Sequence, residues 1–262
     1  MFKKLGVLVF LLLLANSCFA AIFIVEPVDR KVQNGQSVAL GKMARGETVR
    51  LIVRKKSDSA VEWDSISVEQ ELLPKGWNFE SSETDKTLIA LISSPADAEI
   101  STQRIGFTVG NKSQPLFSET FYGSISVREK LLTVTVENLN QEALVGQTAQ
   151  FKLIANNDSI AEHKLLVKSN LPSYWFESRS ITIPALSKEE VDLNVGALAY
   201  GQRQFRFTVS SLQNDTSFQF PASLSVKPTL RAKFFSGFIG LPFYSPSLFS
   251  QYLFLGFLAW LS

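Results

Sequence analysis

The chain has 262 residues, with 26 basic and 24 acidic side chains, one histidine and one cysteine. So even a balance, with no basic stripe, excludes a nucleic-acid binder that works by charge. A single cysteine excludes a disulfide framework and, with one histidine, a zinc site of the usual Cys/His kind.

In chain order, residues 1–20 read as a secretory signal peptide: Lys3 and Lys4 form the charged start, 5–15 the apolar core, and Ala20 and Ala21 a small-residue boundary. The apolar core is shorter than the ~20 residues an uncleaved span needs. Cys18 follows Ala15-Asn16-Ser17, a poor lipidation signal, and cleavage after Ala20 removes it. Loss of the two lysines leaves 24 basic against 24 acidic residues.

From residue 22 to about 227 the pattern is that of strands: short runs of Val, Ile, Thr and Phe alternating with polar residues between turn signals. The expected strands are 22–26, 48–54, 65–71, 87–92, 102–109 and 122–128, and then 133–138, 148–155, 164–168, 180–183, 190–195, 202–209 and 218–226. Phe205, Phe207 and Val209 alternate with Gln204, Arg206 and Thr208, so one face of that strand is buried and the other wet. No window sustains a helical period, and helix is expected to be scarce before the tail.

These strands fall into two copies of one pattern. LPKGWNFES from Leu73 is answered by LPSYWFES from Leu171, GETVRLIV from Gly46 by GQTAQFKLI from Gly146, RIGFTV from Arg104 by QFRFTV from Gln204, and SISV from Ser124 by SLSV from Ser223. The offsets stay between 98 and 100 residues, so the repeat is a whole folding unit rather than a solenoid step. The expected fold class is all-β: two tandem antiparallel immunoglobulin-like β-sandwiches at 21–129 and 130–228, after the signal peptide. With no disulfide available, each must be stable through its own core.

Residues 229–262 are read as a juxtamembrane connector and a hydrophobic membrane segment. From Phe234 to Ser262 there is no charge, and Phe, Leu, Tyr and Trp crowd the stretch. Pro242 and Pro246 interrupt it, leaving a clean run only from 247 to 262. Arg231 and Lys233 precede it and no basic residue follows, which puts both charges outside if the signal is cleaved, against the positive-inside preference. Three readings stay open: a proline-kinked single span, a re-entrant or interfacial segment, and the start of a longer membrane region.

A glycine and a polar residue before a Thr-led strand, an Asn/Asp turn, Leu-Pro-x-x-Trp and a Phe-Thr-Val strand together resemble the alpha-galactosidase-associated (NPCBM-associated) domain family of bacterial and archaeal surface and membrane proteins. The second repeat carries the pattern best, in Gly146-Gln147-Thr148, Asn156-Asn157-Asp158, Leu171-Pro172 and Trp175; the first has Lys55-Lys56-Ser57-Asp58 at the turn. The resemblance spans 46–127 and 146–226. It implies modules that space, present or bind, and it brings no catalytic residues.

Few residues invite a chemical role. Trp77 and Trp175 recur at matching repeat positions and are read as repeat-core aromatics, whereas Trp63 lacks a counterpart and is the surface-aromatic candidate for stacking on a sugar. His163 is expected on a strand surface. Asp58, Asp85, Asp97 and Asp158 sit in expected turns, where side-chain capping is their ordinary role, and no EF-hand spacing supplies a calcium site. Asn111, Asn157 and Asn214 begin Asn-x-Ser/Thr sequons and are candidate glycosylation sites. No G-x-S-x-G, H-E-x-x-H or phosphate-binding glycine loop is present, so no catalytic, cofactor-binding or metal-binding residue is assigned.

The function expected from these residues is a non-catalytic, membrane-tethered structural or interaction protein, its two domains outside the cytoplasm. Its partners are the membrane, through the tail, and other envelope proteins or glycans, not nucleic acid. The alternatives are a carbohydrate-binding accessory module and a fragment of a larger membrane protein.

Overall fold

The computed structural model describes residues 21–57, 62–113, 117–213, 216–229 and 249–261. The signal-peptide reading, the first part of the tail, and the readings at Asp58 and Asn214 lie outside the described residues.

Seventeen strands precede one helix among the described residues. In the first repeat they are β1 (Ile22–Glu26), β2 (Arg30–Val32), β3 (Ser37–Ala44), β4 (Thr48–Arg54), β5 (Ser65–Val68), β6 (Asn78–Glu83), β7 (Thr87–Ser93), β8 (Thr102–Gly110) and β9 (Ser118–Arg128). In the second they are β10 (Leu132–Glu137), β11 (Asn140–Leu144), β12 (Thr148–Asn157), β13 (His163–Ser169), β14 (Arg179–Ile183), β15 (Lys188–Gly196), β16 (Gly201–Ser211) and β17 (Ser217–Lys227). Helix α1 spans Phe249–Leu261.

The described chain forms two compact units. The first takes everything up to Thr133 and also Asn157–His163 and Pro184–Ser187; the second takes the rest. In the first unit one sheet has the order β2-β1-β4-β7-β6 and the other β3-β9-β8-β5. Without the short β2, this is the A-B-E-D sheet of an immunoglobulin-type sandwich facing its C-F-G sheet, with β3 added parallel to β9. The second unit has β10-β12-β15 and β11-β17-β16-β13-β14. Its β11 likewise runs parallel to the last strand, β17, but its fourth main strand, β14, pairs beside β13 instead of joining the opposite sheet. Both units are therefore immunoglobulin-like, with one strand changing sheets between the repeats.

The alternation read from the sequence is what builds the cores. Strand β9 buries every second residue from Glu119 to Val127, and β16 buries Phe205, Phe207 and Val209 while Gln204 and Arg206 stay exposed. In the first unit Phe107 stacks on Phe121 at 5.2 Å between ring centroids. In the second, Phe151, Phe205, Phe207 and Phe176 meet edge-to-face at 5.2–5.5 Å. Such pairs contribute about 0.5–1.5 kcal/mol each beyond the burial of their area.

The repeated motifs are repeated turns. Gly46 and Gly146 each adopt a left-handed φ, +72° and +86°. The polar residue after each glycine then caps its own turn: Glu47 Oε2 accepts from Ala44 N at 2.7 Å and Gln147 Oε1 from Leu144 N at 3.0 Å. In each Leu-Pro-x-x-Trp, the Trp amide donates to the proline carbonyl, at 3.1 Å for Trp77 and 2.9 Å for Trp175.

The structure adds four strands to the sequence reading and shortens one. β2, β3, β6 and β11 are extra, and the strand expected at 65–71 ends at Val68, followed by a 3₁₀ turn at Gln70–Leu72. β6 and β11 are edge strands with no fully buried residue, so they carry no alternation signal. β3 is broken by a register shift between Ala39 and Gly41.

Candidate functional site

The most concentrated polar cluster in the interior lies in the first unit. The turn before β4 supplies Glu47, 1% exposed, and the segment Asn157–His163 supplies Ser159 and His163, both at 0%. His163 Nε2 lies 2.9 Å from Glu47 Oε1. The other carboxylate oxygen accepts from the Ser159 hydroxyl in a short bond as well as from Ala44 N. At 2.9 Å the imidazole and carboxylate are in electrostatic contact, but neither Nε2 nor Oε1 gains a well-aligned hydrogen bond. Nδ1 of His163 is buried with no hydrogen-bond partner.

A serine, a histidine and a carboxylate in one cluster invite comparison with an acyl-transfer triad, but the connectivity differs. A triad serine donates to the imidazole, and the carboxylate orients the far ring nitrogen. Here Ser159 donates to the carboxylate, and all three side chains are closed off from solvent. The arrangement fixes a segment in place instead of presenting a nucleophile.

Its neighbours do the same. Ile160 is 3% exposed within the first unit's hydrophobic core, and its amide donates to Lys42 O at 2.8 Å. Asp158 N donates to Leu131 O at 2.9 Å, and Leu186 N to Ser159 O at 2.9 Å. Gly41, at φ +133°, leaves room for Ile160, whose Cγ2 would stand 2.5 Å from any Cβ added there. The loop of the second repeat's sequence is thus part of the first unit's core.

The residues singled out in the sequence are placed as follows. Trp63 is not a surface aromatic: it is 1% exposed and sits just ahead of β5, in the region where immunoglobulin sandwiches bury a tryptophan. Its indole N–H is buried without a partner. Trp77 and Trp175 are buried at 8% and 7%, so none of the three offers a sugar ring an open face. His163, expected on a strand surface, is fully buried because its loop enters the first unit. Asn157 is 1% exposed, and its amide nitrogen donates to Ala161 O and Pro184 O, both at 2.8 Å, which leaves no site for a glycan. Asn111 is half-buried in a loop, donating to Glu62 O at 2.8 Å. Asp85, Asp97 and Asp158 are exposed, and among the described residues no group of three His, Cys, Asp or Glu side chains converges to hold a metal.

No family model matches the chain, and no curated relative does. Among solved structures, it is similar to a chimeric titin Z1Z2 functionalized with a KLER exogenous peptide from decorin, at 16% identity over 80% of this chain and 98% of that one, with a TM-score of 0.40. It is also similar to the tandem Ig repeats of Dlar, at 9% identity over 80% and 100%, TM-score 0.29, and to the D00-D0 domain of Intimin, at 11% over 78% and 98%, TM-score 0.29. At these values the assignment of fold rests on the strand orders above.

Proposed function

We propose that this chain is a non-catalytic, membrane-tethered interaction protein whose two immunoglobulin-like units stand outside the cytoplasm. The observation that carries the tether is α1. It contains no charged residue, and Leu253, Phe254, Leu255, Phe257, Leu258 and Trp260 are all exposed on it. A helix whose polar side chains are confined to Ser250 and Gln251 in its first turn has little surface suited to water beyond that turn and is stable when its side chains enter lipid or a partner. At 13 residues it is about 20 Å long, less than the ~30 Å hydrocarbon core. Among the described residues no helix is long and apolar enough to cross a membrane. The reading therefore assigns α1 an embedded, interfacial seat. Export rests on the signal-like residues 1–20.

The non-catalytic part is supported by the buried Ser-His-Glu cluster among the described residues, which is closed to solvent and wrongly connected for acyl transfer. The test is membrane fractionation of the full chain expressed with its own first twenty residues, compared with a chain ending at residue 233. Tail-dependent retention that survives carbonate washing supports the reading, and release of both forms overturns it.

A further inference from the structure

The second unit gathers its exposed apolar side chains at the end from which the chain runs on to the tail. We propose that this end rests on the membrane itself, with Leu144, Tyr174, Leu198 and Tyr200 seated at the level of the lipid headgroups. The inference rests on the tethering reading and deepens it, by naming the part of the second unit that meets the bilayer.

Three observations carry it. The first is that residues far apart in sequence come together at this end. Leu144 is the partner of Lys227, the last residue of β17, and Tyr200 immediately precedes Gly201, the partner of Val226. Val145 N donates to Lys227 O and Gly146 N to Ala197 O, which brings Leu198 to the same turn, and Gly196 N donates to Trp175 O, which places Tyr174 alongside. Leu144 is 40% exposed, Leu198 49%, Tyr174 70% and Tyr200 73%. Among the described residues of this unit before α1, the other exposed large hydrophobic is Leu212, just beyond the opposite end of β16. Four of five at one end make a patch rather than the single, scattered exposures that need no explanation. Its tyrosines suit an interface, because each has an apolar ring and a hydroxyl that keeps its hydrogen bonds to water and headgroups.

The second is the comparison between repeats. In the matched Leu-Pro-x-x-Trp turns, Gly76 stands where the second repeat has Tyr174. Ala44, bound to Glu47 as Leu144 is to Gln147, is buried. The loop that accepts from Gly46 N reads Pro95-Ala96-Asp97-Ala98-Glu99, with Ile100 its exposed large apolar side chain, and the loop that accepts from Gly146 N reads Ala197-Leu198-Ala199-Tyr200. These turns therefore form without surface leucines and tyrosines, and it is the repeat next to the tail that carries them.

The third is reach. Seven residues separate Lys227 from Phe234, where the charge-free stretch begins, and even fully extended they span no more than about 25 Å. An embedded tail therefore holds this end close to the bilayer. The charge at the exit is no obstacle, because Lys227 is paired with Glu142.

The test is a depth measurement on the full chain in phosphatidylcholine nanodiscs loaded with a single chain each, so that a second copy cannot be the source of protection. In a C18A background, one cysteine is introduced and labelled with a nitroxide: A199C in the patch, or Q213C beyond the opposite end of β16. Collision with oxygen, which concentrates in lipid, is compared with collision with a water-soluble nickel chelate. The oxygen-to-nickel ratio should be several-fold higher at 199 than at 213, and Y174S/L198S/Y200S should bring it down to the 213 value. Those three side chains are exposed, so the variant keeps its core, and an unchanged circular-dichroism melt shows that it folds. A ratio at 199 equal to that at 213 in disc-bound chains, or one that the triple variant leaves unchanged, overturns the docking and leaves the tether standing. Failure of the chain to join the discs overturns both.

Discussion

Substituting Gly41 by alanine tests directly whether the first unit is completed by Asn157–His163. The added Cβ would lie 2.5 Å from Ile160 Cγ2, a distance that real Cβ atoms do not tolerate, and the residue holds φ at +133°. Two costs follow: about 1–3 kcal/mol for placing a side chain in that backbone region and about 1–3 kcal/mol for overpacking against Ile160. Ile160→Ala alone, at 3% exposure in the core, costs about 2–5 kcal/mol. In the double variant the overpacking disappears while the backbone strain remains, so the two changes together cost about 1–3 kcal/mol less than their sum. Urea unfolding of the full chain reads the total, and amide exchange at Val49–Val53 in β4 reports on the first unit in particular. Additivity to within about 0.5 kcal/mol, the result for sites that do not touch, would refute the seating of this loop.

Four further outcomes are expected. Glu47→Gln keeps an acceptor for Ala44 N but removes the charge facing His163, and should cost about 3 kcal/mol, whereas Gln147→Glu, in the matching but unpaired turn, should change stability by under about 1 kcal/mol; denaturant midpoints compare them. Trp175→Ala should destabilise the second unit by about 3–5 kcal/mol, and an unchanged melting temperature would overturn its core role. In a glycosylating host, mass spectrometry should find no glycan on Asn157, whose amide is buried and fully engaged. The exposed pair Lys152–Glu190 should give a small pH dependence. The Glu190 carboxyl is held below its usual range by hydrogen bonds from Lys152 and then Lys188, and Lys152 is raised by its bond to Glu190. The glutamate's contribution is complete above the ordinary carboxylate range and fades as pH falls through its lowered value. The lysine's is complete below the ordinary lysine range and fades as pH rises through its raised value. Glu190→Gln should flatten the acid side of a melting-temperature profile, and an unchanged acid slope would contradict the pairing.

What could be read from the sequence, and what could not, follows from where each signal resides. Several strands with one buried face were legible to within a residue or two, as at Ile22–Glu26 and Thr48–Arg54, because alternation is a local property, whereas β9 begins four residues before the expected 122. The edge strands Asn78–Glu83 and Asn140–Leu144 bury no residue fully, and a run such as NQEAL has no apolar face to betray it. Trp63 was misplaced because it has no partner in the second repeat, although a tryptophan just before the third main strand is itself a sandwich signature. The Glu47–Ser159 bond joins residues 112 apart, a pairing that no local pattern encodes. One signal was available: the matched turns Gly46-Glu47-Thr48 and Gly146-Gln147-Thr148 differ by a single charge, and the chain's only histidine is the group that answers it.

The most direct test of the account is the carbonate wash of membranes from cells expressing the full chain, alongside the chain ending at residue 233. A tethered interaction protein predicts that the full chain stays with the membrane through the wash while the shorter form is released. Release of both forms would contradict the tether and leave two secreted immunoglobulin-like units.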